Sequence, residues 1–296
     1  LGTFAFTLPI SPWLEDGNGI IWGGVYALLA DAPISLSLYT GLPPGKSLTT
    51  SELSINYLRV AARASDRLVG RGRSVYLGRD VGVAEATIED ANGRTMAHAT
   101  TRCVVVDVPI MPDAVTPPIP EPITDPPDPY LRPVPDGLRF DPAEWSGTPL
   151  DTQRRFIAGE LPRSPLETLM GLTMHEIDDG RGAGTLPASP WLSLGAPTMY
   201  GGALAMACDW GLTGATWASL DAGELGVSLD LQVRFVRPVP LDGRPVTIEA
   251  SVRHKGRRIR IAEADAFDAD GRRVAFAVGS SMVIHGDMQM LKRGRS

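Results

Sequence analysis

Two short stretches hold the residues best suited to chemistry. Gly23-Gly24 is followed seven residues later by Asp31, and Gly201-Gly202 is followed at the same spacing by Asp209. Each glycine pair opens an apolar run that reads as a helix. The first backbone N–H groups of a helix have no partner inside it and carry partial positive charge. Glycine there lets a carbonyl oxygen approach the backbone, which makes an oxyanion hole for a carbonyl carbon under attack. A carboxylate packed among apolar helix neighbours is pushed toward a neutral-range pKa, fit for a general base toward water or for a nucleophile.

Helix length then restricts how these groups combine. Gly201 and Asp209 are eight residues apart, a rise of about 12 Å at roughly 1.5 Å per residue. One carbonyl carbon cannot touch both. The glycine end of one helix must therefore work with the aspartate of the other. This predicts two composite sites, Gly23/Gly24 with Asp209 and Ser228, and Gly201/Gly202 with Asp31 and Thr50.

The elements that must position these groups come from a duplication. Residues 7–14 read TLPISPWL and residues 185–192 read TLPASPWL, an offset of 178 taken from Trp13 to Trp191 (191 − 13). At that offset Tyr57-Leu58-Arg59 falls on Phe235-Val236-Arg237, and Asn92-Gly93-Arg94 on Asp270-Gly271-Arg272. Each copy reads as one apolar helix followed by strands with period-two alternation, such as Leu229, Leu231, Val233 and Phe235, or Leu53, Ile55 and Tyr57. Asp270-Gly271 and Asn92-Gly93 are hairpin signals. One long helix and a run of antiparallel strands give an α+β fold, a curled antiparallel sheet wrapped around a central helix in each copy. The expected division is module one at 1–106, a proline-rich connector at 107–149, module two at 150–288 and a basic tail at 289–296. Module two should open with a helix over Asp151 to Met170 and a strand over Leu172–Ile177. The equivalent of that opening in module one would lie before residue 1, so about 30 residues, counted back along the repeat, are expected to be lacking from module one.

Two segments carry a resemblance. Tyr200-Gly201-Gly202 with Asp209, Gly226-Val227-Ser228-Leu229-Asp230 and Phe235-Val236-Arg237-Pro238 resemble the motifs of the hotdog-fold acyl-CoA thioesterases, especially the phenylacetate-type branch. The likeness spans about 12–106 and 165–285, is looser in copy one, where Thr50 and Glu52 replace Ser228 and Asp230, and the tandem layout resembles the double hotdog. It implies a cofactor-independent hydrolysis of an acyl-CoA or other acyl thioester, with sites crossed between modules. It also implies a pseudo-dimer within one chain, with further homo-oligomers common among the relatives. The motif histidine is Tyr200 in one copy and Trp22 in the other, and both remain candidates for substrate contact. In double-hotdog relatives the carboxylate lies on the strand, at the position of Asp230, and their partner Gln matches Gly279. Asp209 is the first choice for the catalytic carboxylate and Asp230 the reserve.

Other classes are disfavoured. A net charge of −6 argues against nucleic acid. Cys103 and Cys208 sit in apolar surroundings, have no counterpart at the repeat offset, and read as reduced core residues without a disulfide framework or a metal site. His98, His175, His254 and His285 show no triad or metal spacing, and no G-x-S-x-G elbow is present. The apolar stretch at 19–39 carries Asp31, which makes a buried core helix the better reading than a membrane span. No signal peptide is visible, so a cytoplasmic protein is expected. Lys255, Arg257 and Arg258 are candidates for contact with CoA phosphates, and a solvated strand face is the equal alternative. A non-catalytic acyl-CoA binding protein is the second functional class. A hotdog hydratase or dehydratase ranks last, because neither helix motif contains a histidine.

Overall fold

In the computed structural model of the chain, residues 1–16, 19–61, 65–109, 130, 132–138 and 147–286 are described. Most of the proline-rich connector and the basic tail lie outside them. The first copy runs β1 (Thr3–Pro9), α1 (Gly24–Tyr39), β2 (Lys46–Tyr57), β3 (Arg67–Leu77), β4 (Val81–Asp90) and β5 (Thr95–Asp107). The second runs α2 (Pro149–Ile157), α3 (Pro165–Met170), β6 (Thr173–Asp178), β7 (Arg181–Pro187), α4 (Gly201–Trp217), β8 (Glu224–Phe235), β9 (Pro245–Lys255), β10 (Ile259–Phe267) and β11 (Arg273–His285). The offset of 178 carries β1 onto β7, β2 onto β8, β3 onto β9 and β5 onto β11 residue for residue (224 − 46 for the start of β2).

All strands join one antiparallel sheet in the order β1-β3-β4-β5-β2-β8-β11-β10-β9-β7-β6. The two copies meet where β2 pairs with β8. There Glu52 faces Arg234, Ser54 faces Gln232 and Asn56 faces Asp230. Ser54 and Gln232 are themselves repeat equivalents (232 − 54 = 178), so a local two-fold passes between them. The result is a double hotdog, with one sheet curled around two helices.

α1 and α4 are apolar nearly all round and buried on almost every face, as a helix enclosed by a sheet must be. They also pack on each other. A Cβ on Gly24 would stand 2.8 Å from Met206 Cγ, and one on Gly202 would stand 2.9 Å from the Leu28 carbonyl oxygen. These contacts are repeat equivalents of each other (24 and 202, 28 and 206). β3 approaches α1 as closely, since a Cβ on Gly72 would fall 2.0 Å from the Pro33 carbonyl oxygen. No helix among the described residues is long and apolar enough to cross a membrane.

One expected element is divided. Instead of a single helix over 151–170 there are two short ones, α2 and α3. Gly159 adopts a φ of +76°, and Pro162 and Pro165 follow. Proline disfavours a helical conformation in the residue before it. Ser164 starts α3 anew by a reciprocal capping box with Glu167. Glu167 then accepts a hydrogen bond from Trp210 Nε1 at 2.8 Å, which ties α3 to α4.

Candidate active site

Asp31 and Asp209 lie mid-helix in α1 and α4, 2 % and 3 % exposed. Because the helices pack on each other near their starts, each carboxylate rests against the beginning of the other helix. A Cβ built on Gly23 would stand 3.4 Å from Asp209 Oδ2, and one on Gly201 would stand 2.8 Å from Asp31 Oδ2. The amides of Gly24 and Gly202 are near enough to favour the charged forms of Asp209 and Asp31 respectively. The two glycines of each pair thus have different work. The second packs helix on helix, while the first leaves space beside the carboxylate.

The carboxylates are held differently. Asp31 Oδ1 accepts hydrogen bonds from Thr50 Oγ1 at 3.2 Å and from Ser35 Oγ at 3.5 Å, both from its own copy. Asp209 Oδ1 accepts one from Tyr57 Oη at 3.1 Å, from the other copy. Asp209 Oδ2 has no hydrogen-bond partner among the described residues. Phe235 stands where the repeat would repeat Tyr57 (235 − 57 = 178) and packs beside Gly201 without a hydroxyl.

Burial raises both carboxyls to a pKa of about 6, against hydrogen bonds that lower it: from Thr50, Gly202 and Ser35 for Asp31, and from Tyr57 and Gly24 for Asp209. Each is poised near neutrality, where a carboxylate is a useful base. Burial likewise pushes the thiols of Cys103 and Cys208 up, to about 11 and about 12, so both stay protonated. Both cysteines are free.

A shallow recess with room for about one water opens beside Asp209, lined by Thr213, Ser228, Asp230, Ser280 and Ser281 among others. Ser228 shares this pocket with Asp209 but makes no hydrogen bond to it, whereas its counterpart Thr50 bonds Asp31. Asp230 accepts a hydrogen bond from Ser280. Its counterpart Glu52 is instead paired with Arg234 at 2.8 Å and Arg102 at 3.5 Å. The Asp209 side therefore keeps a carboxylate among hydroxyls where the Asp31 side carries an ion-pair network. A Cβ on Gly279 would stand 3.0 Å from the Asp230 carbonyl oxygen, so this position has little room for a longer side chain, and the neighbouring Ser280 supplies the polar contact.

Tyr200 does not point a free hydroxyl into the site. Its Oη donates to the Leu28 carbonyl at 2.8 Å, joining the start of α4 to α1. The indole N–H of Trp22 is buried without a partner among the described residues. Lys255, Arg257 and Arg258 lie at the turn between β9 and β10, outside the pocket lining, and Lys255 pairs with Asp179. Spacing and motif did not single out Tyr57 or Ser280. The signal for Tyr57 was available, since it is a hydroxyl present in one copy and absent at the same offset in the other.

The family model of the thioesterase superfamily matches residues 18–97 and 196–275, once in each copy. No curated protein matches the sequence. Solved structures with the same fold cover nearly the whole chain. A provisionally named thioesterase from Novosphingobium aromaticivorans aligns with a TM-score of 0.58 at 17 % identity, over 95 % of each chain. The tesB protein of Mycobacterium avium subs. paratuberculosis aligns at 0.57 and 13 %, over 96 % of this chain and 93 % of that one. The acyl-CoA thioesterase II TesB2 of Mycobacterium marinum aligns at 0.56 and 16 %, over 95 % and 93 %. At these identities the structural likeness speaks to the fold.

Proposed function

Because the chain belongs to the thioesterase superfamily, we propose that it hydrolyses an acyl-CoA thioester at the composite site formed by Asp209 and the start of α1. The observation that carries this reading is the free, buried Oδ2 of Asp209 lying against Gly23. In the proposed reaction the ionised Asp209 takes a proton from water as the water oxygen bonds to the thioester carbon. The carbonyl oxygen becomes an oxyanion held by amides at the start of α1. Collapse of the tetrahedral intermediate breaks the carbon–sulfur bond, and the CoA thiolate recovers the proton from Asp209. A carboxylic acid and a free thiol leave, with no cofactor involved.

Ser228 and Ser280 are suited to orienting the water or the thioester, since both line the pocket at Asp209. Asp230 is held as the alternative base by its place in the same pocket. The Arg257 and Arg258 turn is proposed for the CoA phosphates because the Val283 amide bonds the Arg258 carbonyl, two residues along β11 from Ser281. The Asp31 site is proposed as the weaker of the two, because two arginines pair with Glu52 where the Asp209 side keeps Asp230 among hydroxyls.

A thiol-release assay over short, long and aromatic acyl-CoA substrates tests the reading. Release by the wild-type chain and its loss in Asp209→Asn support it. The binding-protein alternative draws on the small pocket and on Trp22 and Tyr200 in place of histidine. Acyl-CoA binding by calorimetry with no thiol release selects it.

A further inference from the structure

We propose that Tyr57 is a positioning residue for Asp209, contributed by the first copy to the carboxylate of the second, and that it makes the two pseudo-equivalent sites chemically unequal. This deepens the hydrolytic reading and rests on it for the consequence in turnover, though not for the interaction itself.

The geometry is specific. Tyr57 ends β2, and its ring lies against the start of α1, where a Cβ on Gly23 would stand 3.6 Å from Tyr57 Cζ. Its hydroxyl reaches over 3.1 Å to Asp209 Oδ1. The Tyr26 ring from α1 supports it from the side, with centroids 6.0 Å apart, and Tyr26 Oη is committed to the Arg59 carbonyl. Tyr57, Gly23 and Asp209 therefore form a triangle drawn from both copies. Fixing Oδ1 fixes the rotation of the carboxylate, so Oδ2 is held toward the glycine start of α1. That is where a water and a thioester carbonyl would need to meet. At the other site Phe235 fills the same volume and offers no proton, and Asp31 is held from its own copy instead.

A hydrogen bond donated to a carboxylate favours its ionised form. The other ionisable groups facing Asp209 are Asp230 on β8, Tyr26 behind Tyr57 on α1, and Cys208 beside it on α4, whose thiol stays protonated. None of these donates to Asp209, so the effect of removing one hydroxyl is readable against them. Tyr57→Phe keeps the ring that packs on Gly23, and the same sheet already accepts phenylalanine at position 235.

The test follows two quantities in wild type and Tyr57→Phe. One is thiol release from butyryl-, palmitoyl- and phenylacetyl-CoA between pH 5 and 9. The other is the titration of the Asp209 carboxyl by carbon-13 NMR, assigned with Asp209→Asn. The variant should raise the Asp209 midpoint by about one pH unit, the worth of a hydrogen bond to a charged group. It should also move the acid limb of the rate profile with it and lower kcat about tenfold while leaving KM in place. An unchanged Asp209 midpoint overturns the proposal. If the wild type releases no thiol from any probe, the hydrolytic reading fails alone, and the NMR midpoint still decides the role of Tyr57.

Discussion

Tyr57 donates its phenolic proton to Asp209 across the junction of the two copies, at 3.1 Å. The equivalent residues, Phe235 and Asp31, make no such bond. A duplication that keeps the boundaries of four strand pairs residue for residue has thus diverged in its polar contacts. The helix-to-helix packing holds both carboxylates near the opposite glycine start, but the groups around them set different chemistry.

The buried carboxylates make a prediction about rate and pH. Asp209 sits at about 6 because burial outweighs the Tyr57 and Gly24 contacts. The base must be ionised, so kcat/KM should rise with pH, reach half its plateau near 6 and stay level above about pH 7. A stopped thiol assay across pH 4.5 to 8.5 checks this. A profile still climbing at pH 8 would point to a different base.

The same burial predicts a cost in stability. Asp31 and Asp209 are each raised from 3.8 to about 6 in the folded chain. The folded state therefore binds more protons than the unfolded one between those values. Their stabilising contribution is complete below 3.8 and is lost as pH rises through 6. Asp209→Asn should accordingly be more stable than wild type at pH 8, by about 3 kcal/mol, with the difference nearly gone near pH 4. Urea unfolding of both proteins at the two pH values measures it.

Packing gives a third expectation, separate from chemistry. Gly24→Ala and Gly202→Ala place a methyl 2.8 Å from Met206 Cγ and 2.9 Å from the Leu28 carbonyl oxygen. The helices must part, at a cost of about 1–3 kcal/mol each. At the turn tip, Gly93 has nothing within 4 Å of an added Cβ, but its φ of +76° makes alanine strained there too, so the stricter comparison is with Ala91→Ser on the same hairpin. Thermal melts should show the helix variants falling well below it.

Much of this arrangement was legible in the chain. The offset of 178 and the alternation in segments such as 229–235 gave the strands, and the rise of a helix required that Asp209 meet Gly23 and not Gly201. Two things were not legible, and a third was misread. Whether a glycine faces a carboxylate or a neighbouring helix depends on rotation about the helix axis, which an apolar run with no polar face does not reveal. Tyr57 shares the core-facing side of β2 with Leu53 and Ile55, so its asymmetry with Phe235 marked a difference between the copies but not that its hydroxyl reaches Asp209 on α4. The opening of module two was read through Gly159, Pro162 and Pro165 as one helix, although those residues carry the break on their face.

The central claim is that the carboxylate of α4 works at the start of α1. Its most direct measure is single-turnover thiol release at pH 8 from an acyl-CoA the wild type accepts, compared among wild type, Asp209→Asn and Asp31→Asn. Asp209→Asn should lose at least about 100-fold, the usual worth of a general base, and Asp31→Asn should lose far less. Wild-type turnover in Asp209→Asn, with the chain folded, would contradict the account.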